Sequence, residues 1–197
     1  DGYIDPDVKA MKDRGSHPIT TSQTQKVVHK LRADHDAILV GRRTVDVDNP
    51  SLSVRFAEGN NPTRLIIDPR LELDYSSLKM IREKGETWVL CCEGKLKEIG
   101  ERLEIENIKI LPWLELKIEN WLEKLRSLGI HSILVEGGAN TLQKFLDSDC
   151  YDDVNIFISN KKLGGGLKAP ELPDIVSGKF EETHVGEDEM KLYIRKC

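Results

Sequence analysis

The stretch SILVEGGANTL, residues 132–142, sets an apolar run, a glutamate, two glycines and the start of an amphipathic segment end to end. Residues 132–136 read as a buried strand. The helix that follows, from about Gly138 to Leu146, turns Leu142, Phe145 and Leu146 inward. A strand that passes straight into a helix is half of a crossover unit, in which strands run parallel and ligands gather at the strand C-terminal ends. A helix start offers unpaired N–H groups and a partial positive charge to phosphate. Gly137 and Gly138 let a pyrophosphate approach the backbone with no Cβ in the way. The spacing is neither GxGxxG nor Walker A, so a tight turn that merely requires glycine stands beside the phosphate reading.

A second strand end repeats the design. In ILVGRRTVDVDNPSLSVR, residues 38–55, an apolar strand reaches Gly41, then Arg42, Arg43 and Thr44, then acids, Asn-Pro and Arg55. Arginine grips phosphate as a two-pronged fork, so an arginine at this strand end, Arg42 or Arg43, suits an adenosine 2′-phosphate or another phosphate. Arg32 and Arg55 can clamp a substrate phosphate. The alternatives are a solvated turn pair for Arg42 and Arg43, and surface ion pairs or helix-dipole partners for Arg32 and Arg55. Neighbouring parallel strands would bring the two glycine-bearing ends side by side.

Outward from these ends, strand-like and helix-like segments alternate, which predicts an α/β domain with a largely parallel sheet. The first helix starts from a capping box over Thr20–Gln23, with Thr24, Val27, Val28 and Leu31 on one face. Strands follow at 37–40, 64–68, 87–92 and 108–111, with a short helix around Ser76–Lys84 and another over Lys95–Leu103. The helix at Ile118–Leu128 ends at Gly129, where a C′ glycine belongs. An alternating strand at 154–159 and a terminal antiparallel hairpin turning at Gly186–Asp188 complete the pattern. With no repeat, low-complexity tract or linker, residues 1–197 are expected to form one domain.

The bulk numbers narrow the function classes. A net charge of −5 over 197 residues argues against broad nucleic-acid binding. No apolar run approaches the roughly 18 residues of a membrane helix, so no membrane partner is expected. Cys91, Cys92, Cys150 and Cys197 lack zinc spacing and read as reduced thiols of a cytoplasmic protein. The glycines of KKLGGGLKAP, residues 161–170, read as a loop. The five histidines form no triad with a serine, and His29 reads as helix surface. The acidic group of Glu181, Glu182, Glu187, Asp188 and Glu189 reads as a solvated edge.

HKLRADHDAILVGRRTVDVDNPSLSVR, NPTRLIID and ILVEGGANTL occur here in that order. Together they resemble the reductase domain of bacterial riboflavin biosynthesis proteins and its stand-alone archaeal and fungal relatives. The likeness runs from Asp1-Gly2 through NKKLGGG, and its most specific part is the D-N-P-x-L-x-x-R motif of Asp48–Arg55. The resemblance implies a dihydrofolate reductase-like fold, a homodimer, and an opening strand with a lysine that would precede Asp1. It also implies NADPH-dependent reduction of a phosphoribosylamino-pyrimidine to its ribitylamino form, with hydride delivered to ribose C1′. The substrate contacts it implies fall on Ser16, Arg32, Leu52, Arg55 and Glu136. The cofactor contacts fall on Thr44, Asp48, Gly138, Ala139, Asn140, Thr141 and Leu142, and by more distant analogy on Arg42. Glu136 can orient sugar hydroxyls or relay a proton, and is the expected catalytic group. Nicotinamide supplies the hydride, so the chemistry calls for no metal.

Two further positions depart from the family pattern. His17-Pro18 stands where relatives often place tryptophan, and Pro69 follows IID where relatives often place serine. No deaminase signature occurs in the chain, and the deaminated and non-deaminated pyrimidines both stay open. A pterin or folate reductase of the same fold, and a non-catalytic nucleotide-binding subunit, are the other readings. The first would not need Arg32 with Arg55.

Overall fold

The structure, a computed structural model, describes residues 1–6, 19–95, 107–113, 117–177 and 180–195. The strands are β1 (Tyr3–Asp5), β2 (Ala37–Gly41), β3 (Thr63–Ile67), β4 (Thr87–Cys92), β5 (Ile108–Trp113), β6 (Ile133–Gly137), β7 (Asp153–Ile158), β8 (Leu167–Lys168), β9 (Glu181–Val185) and β10 (Asp188–Ile194). The helices are α1 (Ser22–Asp34), α2 (Arg42–Asp48), α3 (Ile118–Ser127), α4 (Ala139–Asp147) and the single turn α5 (Asp174–Ser177). These elements form two compact units, His29–Gly138 and Asp1–Val28 with Ala139–Cys197. The predicted helix over Lys95–Leu103 lies, from residue 96 on, outside the described residues.

In the unit His29–Gly138 five strands pair in parallel in the order β5-β4-β3-β2-β6. Parallel sheets are covered on both faces, so their strands are apolar throughout rather than alternating. Ala37, Ile38, Leu39 and Val40 accordingly sit at 1% exposure or less. Behind the sheet, α3 buries Ile118, Trp121 and Leu125. Its end is a Schellman turn, with Ile130 N–H on Leu125 O at 3.1 Å, Gly129 N–H on Arg126 O at 3.0 Å, and Gly129 at φ +92°. The predicted C′ glycine is therefore in place.

The segment after β3 is not the short helix predicted around Ser76–Lys84. It makes two 3₁₀ turns, Tyr75–Ser77 and Lys79–Arg82. Leu71, Leu73, Tyr75, Leu78 and Met80 pack from it against Ile38, Val40, Ile66 and Val89 of the sheet. Two buried charges replace the hydrogen bonds that a longer helix would have made for itself. The fully buried Arg64 donates to Met80 O at 2.9 Å and Lys84 O at 2.8 Å. The equally buried Asp68 accepts Tyr75 Oη–H at 2.7 Å and Leu73 N–H at 3.0 Å. Burial, followed by the Asp68 carboxylate, pushes the Tyr75 phenol far up, so it remains a donor.

In the other unit β7, β10 and β9 form an antiparallel sheet in that order, and β1 pairs with β8. The terminal hairpin is present, but its turn is Gly186–Glu187, because Asp188 already pairs with Val185. Asp188 also departs from the solvated edge expected of the acidic run, at 1% exposure. Its Oδ2 accepts Thr21 N–H at 2.7 Å, Thr21 Oγ1–H at 2.8 Å and Thr24 Oγ1–H at 2.6 Å. These bonds fix the start of α1, and the cap is Thr21 rather than Thr20. Burial alone would raise the Asp188 pKa, but hydrogen bonds from Thr21, Thr24 and Ser159 outweigh it and hold the carboxyl below its ordinary range. Asp188→Ala strands these donors, and we expect it to lower unfolding stability by about 2–3 kcal/mol in urea titration. A loss under about 0.5 kcal/mol would show that water satisfies them.

Candidate active site

The geometry begins with a one-residue surplus between β2 and β6. Leu39 pairs with Val135, but Val40 pairs with Gly137, so Glu136 is the extra residue of a β-bulge. A bulge re-aims the side chain it carries. Glu136 receives Arg32 from α1 in a two-pronged grip, Nε–H to Oε1 at 2.6 Å and Nη2–H to Oε2 at 2.7 Å. The pair is only partly open to solvent, at 13% and 21% side-chain exposure, which strengthens it over a surface pair. The third edge of the guanidinium donates from Nη1 to Ser53 O at 3.2 Å.

Residues 51–55 have no regular secondary structure, and side chains hold their backbone instead. Arg32 takes the carbonyl of Ser53, Asn61 Oδ1 accepts Val54 N–H at 2.7 Å, and His29 Nδ1 accepts Arg55 N–H at 2.9 Å. Leu52 adopts φ +52°, uncommon for a side chain of its size, and is 3% exposed. The Arg55 guanidinium reaches solvent, 5.7 Å from the centroid of the half-exposed Phe56 ring.

His29 is buried at 4% exposure and meets Phe56 edge-on at 4.8 Å, which corrects its reading as helix surface. It accepts from a backbone N–H, so its own proton is on Nε2. Burial, then the charges of Arg32 and Arg55, lowers its pKa from 6.5 to about 4.

Past the bulge, close packing requires Gly137 and a left-handed backbone favours glycine at 138. A Cβ on Gly137 would lie 2.7 Å from Val40 Cα, and one on Gly138, at φ +73°, 2.9 Å from Thr44 Oγ1. Both predicted glycine-bearing strand ends therefore meet, through Gly138 and Thr44. Arg42 opens α2 and pairs with Glu72 at 3.2 Å, both half-exposed. Asp48 is exposed at the end of α2.

Of the residues singled out in the sequence, the unit His29–Gly138 joins Arg32 directly to Glu136 and sets Thr44 against Gly138. Leu52 and Arg55 lie on the segment that Arg32 holds. Ala139, Asn140, Thr141 and Leu142 form the first turn of α4, with Thr141 buried at 8% exposure. Ser16 lies outside the described residues. Sequence reading missed His29, Asn61 and the Ser53 carbonyl. The signal for His29 was its place three residues before Arg32, on the same face of one helix.

The His29 shift gives a pH dependence of stability. The unfolded chain takes up this proton first, at an ordinary pKa of 6.5, and the folded chain only near 4. The stabilising contribution is whole above pH 6.5 and is lost progressively as the pH falls toward 4. Wild-type Tm should fall across that window more steeply than the Tm of His29→Asn, measured by calorimetry. Parallel slopes would show that His29 is already protonated when folded.

The chain is 37% identical over 155 residues to riboflavin biosynthesis protein RibD of Aquifex aeolicus, covering 78% of this chain and 43% of that protein. Against the 2,5-diamino-6-ribosylamino-4(3H)-pyrimidinone 5′-phosphate reductase of Saccharomyces cerevisiae, identity is 32% over 179 residues, covering 83% of this chain and 70% of that protein. The solved structure of riboflavin biosynthesis reductase Rib7 from the same yeast superposes with a TM-score of 0.73 at 26% identity, covering 87% of this chain and 80% of that one. The chain spans less than half the length of the first curated relatives it matches, 43% and 47%. Residues 1–192 match the family model described as the RibD C-terminal domain. The chain belongs to the RibD C-terminal domain family, and its fold is dihydrofolate reductase-like.

Proposed function

We propose that this chain reduces the ribosyl side chain of a 5-phosphoribosylamino-pyrimidine to the ribitylamino form, with NADPH as the hydride source. The observation that carries the reading is the bulge that hands Glu136 to Arg32 one residue before the Gly137-Gly138 turn. Family membership and the reductase names of relatives support it.

In the ring-opened sugar, C1′ is double-bonded to nitrogen. Reduction adds a hydride to C1′ and a proton to the nitrogen, leaving a CH₂–NH link. The exposed Arg55 guanidinium takes the substrate phosphate as a two-pronged donor. Arg32, already committed to Glu136, serves the substrate by holding that carboxylate. With both oxygens accepting from Arg32, Glu136 aligns ribose hydroxyls and offers negative charge beside the nitrogen that gains the proton. Leu52 meets the substrate through its main chain, since its side chain is packed in the core. Ser16 completes the substrate contacts.

The strand-end turn fits a nicotinamide dinucleotide through the N–H groups and partial positive charge at the start of α4, since the Cβ positions of Gly137 and Gly138 face Val40 and Thr44 rather than a ligand. When bound, that cofactor supplies the hydride. Gly137, Gly138, Ala139, Asn140, Thr141 and Leu142 provide the turn and helix start for its phosphates, and Thr44 and Asp48 are further cofactor contacts in this reading. Arg42 takes the adenosine 2′-phosphate in competition with Glu72.

The test incubates purified protein with NADPH and each pyrimidine, deaminated and not, following absorbance at 340 nm and product mass (about 340 nm being where reduced nicotinamide absorbs). One pyrimidine should be reduced and a pterin should not; reduction of the pterin alone would contradict the reading. Arg42→Ala should cut the preference for NADPH over NADH by about tenfold. An unchanged ratio would remove Arg42 from the site.

A further inference from the structure

We infer that His29 is a positioning residue for the substrate. Its unprotonated Nδ1, accepting Arg55 N–H, fixes the end of the 52–55 segment and thereby aims the Arg55 guanidinium at the substrate phosphate. The inference rests on the proposed reductase reading and adds to it a residue with no role there.

Three observations carry it. First, residues 53, 54 and 55 are each tied down by a different side chain, Arg32, Asn61 and His29. A backbone with no ladder to join keeps one conformation only if every such tie is made. Second, the His29 tie is the last before Arg55 leaves for solvent, so it sets the direction from which a long, otherwise mobile side chain departs. Third, the imidazole is packed as well as bonded. At 4% exposure, with the Phe56 ring edge-on at 4.8 Å, it cannot swing away without opening a void. The proton that would destroy the acceptor is disfavoured by burial and by two arginines. A neutral ring under the influence of two arginines thus stays an acceptor at the pH where a phosphate ligand is doubly charged.

Two substitutions separate this role from mere packing. His29→Phe keeps ring and volume but removes the acceptor. His29→Asn carries an amide oxygen close to the position of Nδ1. Both are compared with wild type by steady-state kinetics, after circular dichroism has shown each variant folded. His29→Phe should raise the KM of the pyrimidine substrate roughly ten- to hundredfold, with kcat and the KM of NADPH within about twofold of wild type. His29→Asn should recover most of that loss. A folded His29→Phe with unchanged substrate KM would overturn the inference, as would an equal fall in all parameters that Asn does not rescue.

Should wild type reduce neither pyrimidine, the reductase reading itself fails, and hydrogen exchange at the Arg55 amide then judges the histidine. Protection in wild type, lost in Phe and regained in Asn, supports positioning of the segment. Equal exchange in all three overturns it.

Discussion

Two strands paired in parallel with one residue to spare must turn that residue out of the ladder, and in β6 that residue is Glu136. Its carboxylate, displaced from the register, needs a partner of matching shape. Arg32 provides one from α1, with both oxygens engaged and a third donor left for Ser53 O. A single guanidinium so links a helix, a strand end and an irregular segment, each of which would otherwise have polar groups to satisfy separately. Because the pair is mostly shielded, losing either member would leave a charge without its counterpart, a heavier penalty than losing a surface pair. The glycines that follow are the sterical condition for the same bulge. Val40 lies so near Gly137 that any side chain there would push β2 and β6 apart.

The opposite side of the problem is how the sheet stays covered where no long helix follows β3. Apolar residues of 71–80 supply the surface, but a loop of 3₁₀ turns leaves carbonyls and N–H groups that a helix would have paired. Arg64 and Asp68 reach from β3 and its end to collect them. Both side chains are fully buried, and the bonds they make offset part of that cost, with Arg64 Nε and Asp68 Oδ1 left without a hydrogen-bond partner among the described residues. Asp68 also closes the C-terminal end of β3, the same end of the sheet at which Gly41 and Gly137 turn their strands.

Much of this was legible in the residues. Apolar runs ending in glycine marked parallel strands, and Gly129 marked the end of α3, because chain geometry leaves few residues able to do either job. The site was legible as a set of charges near strand ends. Its wiring was not, because which arginine meets which carboxylate depends on a register shift that no local pattern encodes. Arg32 and Arg55 read alike in sequence, yet one is spent on Glu136 while the other faces solvent. His29 and Asp188 were misread for a shared reason. Titratable residues are usually exposed, and each is buried here by a partner distant in sequence, Arg55 for one and Thr21 with Thr24 for the other. The short helix expected at 76–84 failed because tertiary contacts to Arg64 outweighed local propensity.

The account stands or falls on where the reducing hydrogen goes. The direct measurement is product mass and NMR after turnover with NADPH carrying deuterium at the transferable nicotinamide position. The account predicts a ribitylamino product one mass unit heavier (about 1 Da for one transferred hydride), with the label confined to C1′. Label on the pyrimidine ring, or an unlabelled product, would contradict it.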